Sequence, residues 1–193
     1  MNTTILSELY TSYFQQSPTE IIKLPQAGSD RTYYRLSDDT NCAIGSVNHD
    51  KRENDIFIQL AQHFKSKGVN VPEIYGVSED GLLYLQEDLS GTALYDLVKG
   101  KPFTEEIENL YKDTLAALVN LQVDGAKDFD FNICYPVQEF DRTSMFWDLN
   151  SFKYYFARSL RILFNENNLQ KDFHVLTKWL LKEPHQYVMM RDC

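Results

Sequence analysis

Three short stretches of the chain combine residue types that can do chemistry. The first is AGSDRTYYRL at residues 27–36, a polar loop between two predicted strands, in which Gly28 permits backbone conformations that other residues resist. Consecutive N–H groups in such a loop can converge on phosphate oxygens, and Ser29, Arg31 and Arg35 add a hydroxyl and two positive charges. A hairpin turn with exposed arginines explains the same residues, because one glycine is a far weaker signal than a GxGxxG motif.

The second stretch is LYLQEDLSG at residues 83–91, a strand pattern that ends in two acids followed by Ser-Gly. If a boundary between two lobes lies at this point, the backbone N–H and C=O groups of residues 86–89 can pair with a flat heterocycle such as adenine. A plain linker with solvated acids explains the same residues, so both interpretations stay open.

The third stretch is YVMMRDC at residues 187–193, where a strand-like apolar run leads to Arg191 and Asp192. An aspartate just beyond a buried strand can act as a base or hold a substrate hydroxyl, if the reacting group lies within about 3 Å. A solvated terminus is the alternative interpretation, and it is the more usual condition of a chain end.

Composition excludes several classes of function. The chain has 193 residues, of which 43% are hydrophobic, and this fits one domain or two small lobes with a real core. A net charge of -9 argues against nucleic acid as a partner, since binding the phosphate backbone needs clustered Lys and Arg. No apolar stretch approaches the roughly 20 residues of a membrane span, and the N-terminus lacks signal-peptide features, so we expect a cytoplasmic protein without membrane contact.

The cysteines and histidines predict neither a disulfide framework nor a metal site. Cys42, Cys134 and Cys193 are odd in number, far apart and outside any CxxC or Cys/His spacing, and the four histidines have no metal-ligand spacing. The sequence also contains no Walker A, GxSxG or HExxH motif.

Hydrophobic periodicity predicts an α+β chain with a strand-rich first part and a helical second part. The pattern predicts helices over residues 3–15 and 51–67 and strands over 20–24, 31–36, 41–47, 73–78 and 82–87. Beyond Asp88 the periodicity becomes helical, over residues 92–100, 104–123, 144–163 and 169–182. We therefore predict a sheet lobe at 1–88 and a helical lobe at 89–193. The cluster of aromatic residues between Phe146 and Phe156 fits a helical core better than a substrate pocket.

Five motifs taken together resemble the aminoglycoside phosphotransferase and choline kinase family. They are AGSDRTYYRL, VPEIYGV, LLYLQEDLSGTALYDLV, DTLAALVNLQ and VMMRDC, and they span the chain from about Ile21 to its last residue. Within this family the chain is most similar to sugar kinases related to N-acetylmuramate kinase. The resemblance implies a protein-kinase-like fold with an antiparallel sheet lobe, a hinge and a helical lobe. It also implies Mg²⁺-assisted transfer of the ATP γ-phosphoryl group to a hydroxyl of a small molecule.

The resemblance assigns roles to individual residues. Asp192, with Arg191 beside it, matches the aspartate that takes or positions the proton of the acceptor hydroxyl. Glu53 matches the helix acid that orients a phosphate-binding lysine. The loop over the phosphates matches Gly28, Ser29, Asp30 and Arg31, and the hinge matches Gln86, Glu87, Asp88 and Leu89.

Two departures from the family pattern change what is expected of this chain. The third predicted strand, NCAIGSV, contains no lysine, so we expect Arg35 or Lys51 to supply the positive charge on the phosphates. The Asn and the acidic metal ligand that follow the catalytic aspartate in this family are not present after Asp192. We therefore expect an incomplete helical lobe, no metal ligands within this sequence, and little or no activity from the 193 residues alone.

The sequence thus predicts the N-terminal part of a small-molecule kinase, with ATP and Mg²⁺ as cofactors and a sugar or amino sugar as acceptor. One alternative is a pseudokinase-like module that binds nucleotide or a partner without transfer, which the missing lysine favours. A second alternative is a helical interaction protein in which part of the strand prediction is wrong. The sequence does not set the oligomeric state.

Overall fold

The computed structural model describes residues 2–26, 30–182 and 187–189 and has an α+β fold. Its elements follow the predicted order of helix, three strands, helix, two strands and then helices. The first part comprises α1 (Asn2–Phe14), β1 (Glu20–Lys23), β2 (Thr32–Ser37), β3 (Cys42–Val47), α2 (Lys51–Ser66), β4 (Ile74–Val77) and β5 (Leu83–Glu87). The helices that follow are α3 (Leu94–Val98), α4 (Glu105–Val123), a 3-10 turn (Phe131–Ile133), α5 (Arg142–Ser151), a π-helical segment (Phe152–Arg158) and α6 (Glu166–Leu180).

The five strands form one antiparallel sheet in the order β1-β2-β3-β5-β4. The register pairs Tyr33 with Ser46 and Ser46 with Tyr84, and two residues further along it pairs Arg35 with Ile44 and Ile44 with Gln86. Because directly opposed residues share a face and alternate along each strand, this register assigns every side chain to one of two faces.

One face of the sheet, which we call the apolar face, packs against α1. Leu6 and Tyr10 of α1 are fully buried there against the strand residues Leu36, Ala43, Val47, Leu83 and Leu85. A Cβ atom on Gly45 would lie 2.8 Å from both methyl carbons of Leu6, so glycine lets the helix approach the β3 backbone closely. This face holds the main core of the described chain.

The opposite face, which we call the polar face, carries Tyr33 and Arg35 of β2, Ser46 of β3, and Tyr84 and Gln86 of β5. Helix α2 lies against it, since the rings of Phe57 and Tyr84 stack with centroids 5.2 Å apart. The two faces thus differ in chemistry as well as in the helix that covers them.

Helix α2 begins and ends as its sequence predicts. The Asp50 side chain caps it by accepting a hydrogen bond from the Glu53 backbone N–H at 3.1 Å, and this places Glu53 in the first turn. Gly68 follows the helix with a φ of 76°, a conformation that glycine adopts without steric cost. The position of Glu53 is therefore fixed by the helix start.

The later helices agree with the sequence in part. Thr104 caps α4 as predicted, accepting from the Ile107 backbone N–H at 3.4 Å. The single helix predicted over 144–163 is instead divided into α5 and the π-helical segment. The prediction that the aromatic cluster is core is wrong for most of its members, because the side chains of Trp147, Phe152, Tyr154, Tyr155 and Phe156 are exposed.

The described residues fall into two compact units, one made of residues 2–26, 30–129 and 188–189 and the other of residues 130–182 and 187. The predicted division into lobes at residue 88 is a different one, and it stays a prediction. Residues 187–189, the described part of the last predicted strand, are not paired in a strand. Within the described ranges, no helix has both the length and the apolar character needed to cross a bilayer.

Candidate functional site

The structure describes most, though not all, of the residues that the sequence assigned to a site. Gly28 and Ser29 of the polar loop, and Arg191 and Asp192 of the last motif, lie outside the described residues. The others belong to the first unit, and they are Asp30, Arg31, Arg35, Glu53, Gln86, Glu87, Asp88 and Leu89.

Arg31 and Glu53 form an ion pair that joins the start of β2 to the first turn of α2. A terminal guanidinium nitrogen of Arg31 lies 3.0 Å from Glu53 Oε1. The guanidinium carbon is 5.3 Å from the centre of the Phe57 ring, which itself stacks on Tyr84. The Arg31 side chain is 13% exposed and that of Glu53 is 48% exposed, so in this pair the cation is the buried member.

The second carboxylate oxygen of Glu53 is also held. Asn48 Nδ2 donates to Glu53 Oε2 at 2.8 Å, and the Asn48 backbone N–H donates to the Leu82 carbonyl at 2.9 Å. Asn48 is 4% exposed, so this link runs through the interior between β3, α2 and the loop before β5. Both oxygens of Glu53 therefore have fixed partners, and the acid holds Arg31 in one orientation.

Arg31 and Glu53 line a cavity of about 980 Å³ at the N-terminus of α2. The positive end of the helix dipole favours negative charge at such a place, and the Asp50 carboxylate that caps the helix already supplies one. The lining contains as many acidic as basic side chains, so net charge alone does not attract an anion there. Its residues are Asp30, Arg31, Asn48, His49, Asp50, Lys51, Arg52 and Glu53.

Arg35 and Asp88 form a second ion pair, at the end of β5 and on the polar face. Arg35 Nε donates to Asp88 Oδ2 at 2.7 Å, and the Cys42 thiol at 3.0 Å and the Ser90 N–H at 2.9 Å donate to the same carboxylate. The Asp88 side chain is 5% exposed and that of Arg35 is 44% exposed, so here the acid is the buried member. This pair fixes the chain where it leaves the sheet.

The pKa values of this network follow from its geometry. Burial on its own raises the pKa of Asp88, but the hydrogen bonds from Cys42, Ser90 and Arg35 outweigh it, and the pKa is lowered from its ordinary value. Burial and the adjacent carboxylate raise the pKa of the Cys42 thiol to about 11. At neutral pH Asp88 is therefore ionised and Cys42 is a neutral thiol that donates to it.

The predicted hinge is partly inside the sheet. Gln86 is paired with Ile44 on one side and Ile74 on the other, and the Glu87 N–H donates to the Glu73 carbonyl at 2.8 Å. Leu89 is the first residue of this segment with a largely exposed side chain. If a planar base pairs with this segment, Asp88 and Leu89 are the residues whose backbone lies beyond the strands.

Two buried polar atoms near the polar face lack a hydrogen-bond partner among the described residues. They are Arg31 Nε and Gln86 Oε1. The hydroxyls of Tyr84 and Ser46 face each other across the β3–β5 pair and interact, and burial raises the pKa of the Tyr84 hydroxyl, so it stays protonated. Because buried polar groups in proteins are usually paired, Arg31 Nε and Gln86 Oε1 are bonding groups that the described residues leave unused.

In the structure, the cation in contact with Glu53 is Arg31. The sequence predicts Arg31 only as part of the loop over the phosphates. Lys51 is engaged by Asp55, with distances of 2.8 and 2.7 Å to its two carboxylate oxygens, and Arg35 is engaged by Asp88. No spacing in the sequence links Arg31 to Glu53, because the contact depends on how α2 crosses the sheet. The alternation of Arg31, Tyr33 and Arg35 does, however, indicate that the two arginines share a face.

The described residues do not by themselves supply a magnesium site. Among them, no group of three or more His, Cys, Asp or Glu side chains has the proximity to hold a metal ion. The Mg²⁺ expected from the sequence resemblance therefore has no identified ligands in this part of the chain.

Comparison with known proteins gives matches of structure only. No protein-family model and no curated protein sequence matches the chain. A thermostable mutant of aminoglycoside phosphotransferase APH(4)-Ia, in its apo form, aligns with a TM-score of 0.56 and 13% identity, over 93% of this chain and 61% of that chain. A structure assigned as a fructosamine-3-kinase from Haemophilus somnus 129PT aligns with a TM-score of 0.41 and 15% identity, over 61% of this chain and 39% of that chain.

The chain therefore spans less than two thirds of the length of either protein. The alignment with the phosphotransferase covers nearly all of this chain, including the five-stranded antiparallel sheet and the helices that follow it. The fold class predicted from the sequence is confirmed: the chain has the α+β, protein-kinase-like fold.

Proposed function

We propose that the chain is the nucleotide-binding part of an ATP-dependent phosphotransferase that acts on a hydroxyl group of a small molecule. In this reaction the bond between the γ-phosphorus and the β,γ-bridging oxygen breaks, and a bond forms between the γ-phosphorus and the acceptor oxygen. The bridging oxygen leaves with ADP, and the acceptor hydroxyl gives up its proton to a base.

One observation carries this proposal: Asp30, Arg31 and Glu53, three residues that the sequence resemblance assigns to the phosphate side, line one cavity at the start of α2. They come from the polar loop and from α2, which are separated by two strands along the chain. A random set of charged residues has no reason to converge in this way. The protein-kinase-like fold provides independent support, because phosphate binding in such folds uses a sheet and one helix on the same side.

The proposed roles follow the positions of the residues. Arg31 binds phosphate oxygens, Glu53 orients it, and the segment at Asp88 and Leu89 receives the adenine base. The side chain of Asp88, held by Arg35, keeps that segment in place. Asp192 and Arg191, which lie outside the described residues, are proposed from the sequence resemblance to position the acceptor hydroxyl and take its proton.

A sugar or amino sugar is the proposed acceptor. The sequence resemblance to sugar kinases supports it, and the aligned aminoglycoside phosphotransferase is by its name an enzyme of amino-sugar compounds. Since the chain spans 61% of that protein, the acceptor site of the whole enzyme belongs to the proposal and not to the described residues.

A second candidate function is nucleotide binding without transfer. One observation favours it: β3 contains no lysine, the residue that protein kinases place on this strand to pair with the ATP phosphates.

Calorimetric titration of the intact gene product with ATP, with and without Mg²⁺, tests the proposal when it is combined with a product assay on a panel of sugars and amino sugars. Binding together with Mg²⁺-dependent formation of ADP and a phosphorylated sugar supports the phosphotransferase. Binding without product on the panel supports the second candidate. Absence of ATP binding under both conditions contradicts both.

A further inference from the structure

We infer that Arg31 takes the place of the third-strand lysine that protein kinases use on the ATP phosphates, and that Glu53 is the residue that positions it. This inference rests on the proposed function and deepens it, because it names the phosphate-binding cation of this chain. It also differs from the sequence expectation, which gave that role to Arg35 or Lys51.

The strand that carries the phosphate-binding lysine in protein kinases has no such residue in this chain. In protein kinases the lysine lies on the third strand and pairs with a glutamate of the helix packed on the sheet. On β3 of this chain, the residues of the polar face are Cys42, Ile44 and Ser46, and none carries a positive charge. The corresponding glutamate is present as Glu53, and its cationic partner at 3.0 Å is Arg31.

Neighbouring side chains hold Arg31 in one orientation. Glu53 fixes one side of the guanidinium, the Phe57 ring lies 5.3 Å from its central carbon, and Asn48 fixes Glu53 in turn. A guanidinium has five N–H donors in a planar fork that matches phosphate oxygens, and one contact to Glu53 leaves others for a ligand. An arginine held in this way binds phosphate without first losing the freedom of a mobile side chain.

The two cations that the sequence predicts for this role are engaged by other carboxylates. Lys51 lies within hydrogen-bond distance of both Asp55 oxygens, and Arg35 Nε is 2.7 Å from the Asp88 carboxylate near the hinge. Glu53 contacts neither of them in the described structure. Arg31 is therefore the cation that both lines the cavity and is oriented by the helix acid.

If Arg31 contacts the phosphates, its removal should weaken the binding of ligands that carry phosphate and leave the binding of the base unchanged. Replacing Arg31 by Met removes the charge and keeps most of the volume, so contacts to adenine at the hinge stay intact. Hydrogen bonds to charged groups are worth enough that ADP affinity should fall roughly 10- to 100-fold. Affinity for adenosine, which has no phosphate, should stay unchanged.

The experiment compares the dissociation constants of ADP and adenosine for the 193-residue chain and its variants by calorimetric titration. For Arg31→Met we expect the preference for ADP over adenosine to fall roughly 10- to 100-fold. For Arg31→Lys, which keeps the charge without the planar fork, we expect an intermediate preference. For Glu53→Gln, at a half-exposed position, we expect a smaller loss of ADP affinity and none for adenosine.

A matched control is available in the second unit. Arg158 pairs with Glu166, and its guanidinium carbon lies 5.3 Å from the centre of the Tyr154 ring, so it has the same kinds of partner as Arg31. Its side chain is 53% exposed, against 13% for Arg31, and it is not among the residues that line the cavity. Arg158→Met should leave both dissociation constants unchanged. Far-ultraviolet circular dichroism shows whether each variant is folded, and if Arg31→Met is not, Arg31→Lys and Glu53→Gln carry the same comparison.

The outcomes separate this inference from the proposed function. If the unmodified chain binds ADP and the folded Arg31 and Glu53 variants bind it equally well, the inference is overturned and the proposed function stands. If the unmodified chain binds neither ATP nor ADP, both are overturned. A parallel loss of ADP and adenosine affinity in Arg31→Met also contradicts the inference, because it indicates a structural role and not a phosphate contact.

Discussion

The two faces of the five-stranded sheet are built on different principles. On the apolar face, Leu6 and Tyr10 of α1 are completely buried against strand side chains, and the helix approaches the backbone at Gly45. On the polar face, the Tyr84 and Ser46 hydroxyls interact with each other, and buried atoms of Arg31 and Gln86 have no hydrogen-bond partner among the described residues. The buried groups of one face are apolar and closely packed, whereas those of the other are polar and only partly paired.

This difference indicates how stability and function are divided in the sheet. Apolar burial and close packing stabilise a fold whatever the ligand, whereas buried polar groups without partners lower stability and are retained where they serve a function. We therefore expect substitutions on the apolar face to change the free energy of unfolding, and substitutions on the polar face to change ligand binding more than stability.

The largest effect on stability is expected for Leu6→Ala. The Leu6 side chain is fully buried in the core of the apolar face, so its truncation removes apolar contacts and leaves a cavity. The free energy of unfolding should fall by about 3 kcal/mol. Urea denaturation monitored by circular dichroism measures it, and a loss below about 1 kcal/mol would show that α1 is not packed on the sheet as described.

A smaller loss is expected for Gly45→Ala, about 2 kcal/mol, because the new Cβ would lie 2.8 Å from two Leu6 methyl carbons and 3.0 Å from a Leu36 methyl carbon. Its neighbour Ser46 points to the polar face and provides the matched control. Ser46→Ala adds no atom to the packed face and removes a buried hydroxyl that interacts with the Tyr84 hydroxyl, so the loss of stability should be below about 1 kcal/mol. Equal losses in the two variants, measured by the same denaturation, would contradict the assignment of the faces.

Replacing Asp88 by Asn should lower the free energy of unfolding by about 1 kcal/mol, and this loss should depend on pH. Asp88→Asn keeps an oxygen acceptor but removes the charge that Arg35, Cys42 and Ser90 stabilise. Because the pKa of Asp88 is lowered in the folded chain, its carboxylate contributes stability above the ordinary value of 3.8 and loses it as the pH falls further.

Urea denaturation of both proteins at several pH values checks this prediction. The difference in unfolding free energy should be constant between about pH 5 and 7 and should shrink as the pH is lowered below about 4. A difference that grows on acidification has the wrong sign for this network and would contradict it.

The smallest effect on stability is expected for Tyr84→Phe. The substitution keeps the ring that stacks on Phe57 and removes only a buried hydroxyl that interacts with Ser46. The free energy of unfolding should fall by about 0.5 kcal/mol, the low end of the range for one neutral hydrogen bond. A loss above about 2 kcal/mol in urea denaturation would mean that the hydroxyl has further structural partners.

Much of the fold follows from local sequence signals. The periodicity of strands β2 and β3 and of helices α1, α2 and α4 is visible in the sequence, and the structure confirms each of these elements. Such signals work because they depend on neighbours within a few residues. The order of motifs also predicted the protein-kinase-like fold, which the structural alignment confirms.

The contacts of the candidate site were harder to predict, because they join residues that are distant in sequence. The pairing of Arg31 with Glu53 depends on the path of α2 over the sheet, and the pairing of Arg35 with Asp88 depends on the register of β2, β3 and β5. No local pattern states which of several nearby cations a glutamate will contact. The helical second part misled for a related reason: periodicity shows that Tyr155 and Trp147 are on helices but not whether another element covers them.

Hydrogen–deuterium exchange of the 193-residue chain, with and without ATP and Mg²⁺, tests most directly the central claim that nucleotide binds on the polar face. Binding should slow exchange in peptides that cover residues 30–35, 51–57 and 86–90. The exchange rate of residues 2–14 of α1, on the apolar face, should be the same with and without nucleotide. Protection confined to α1, or equal protection on both faces, would contradict the claim.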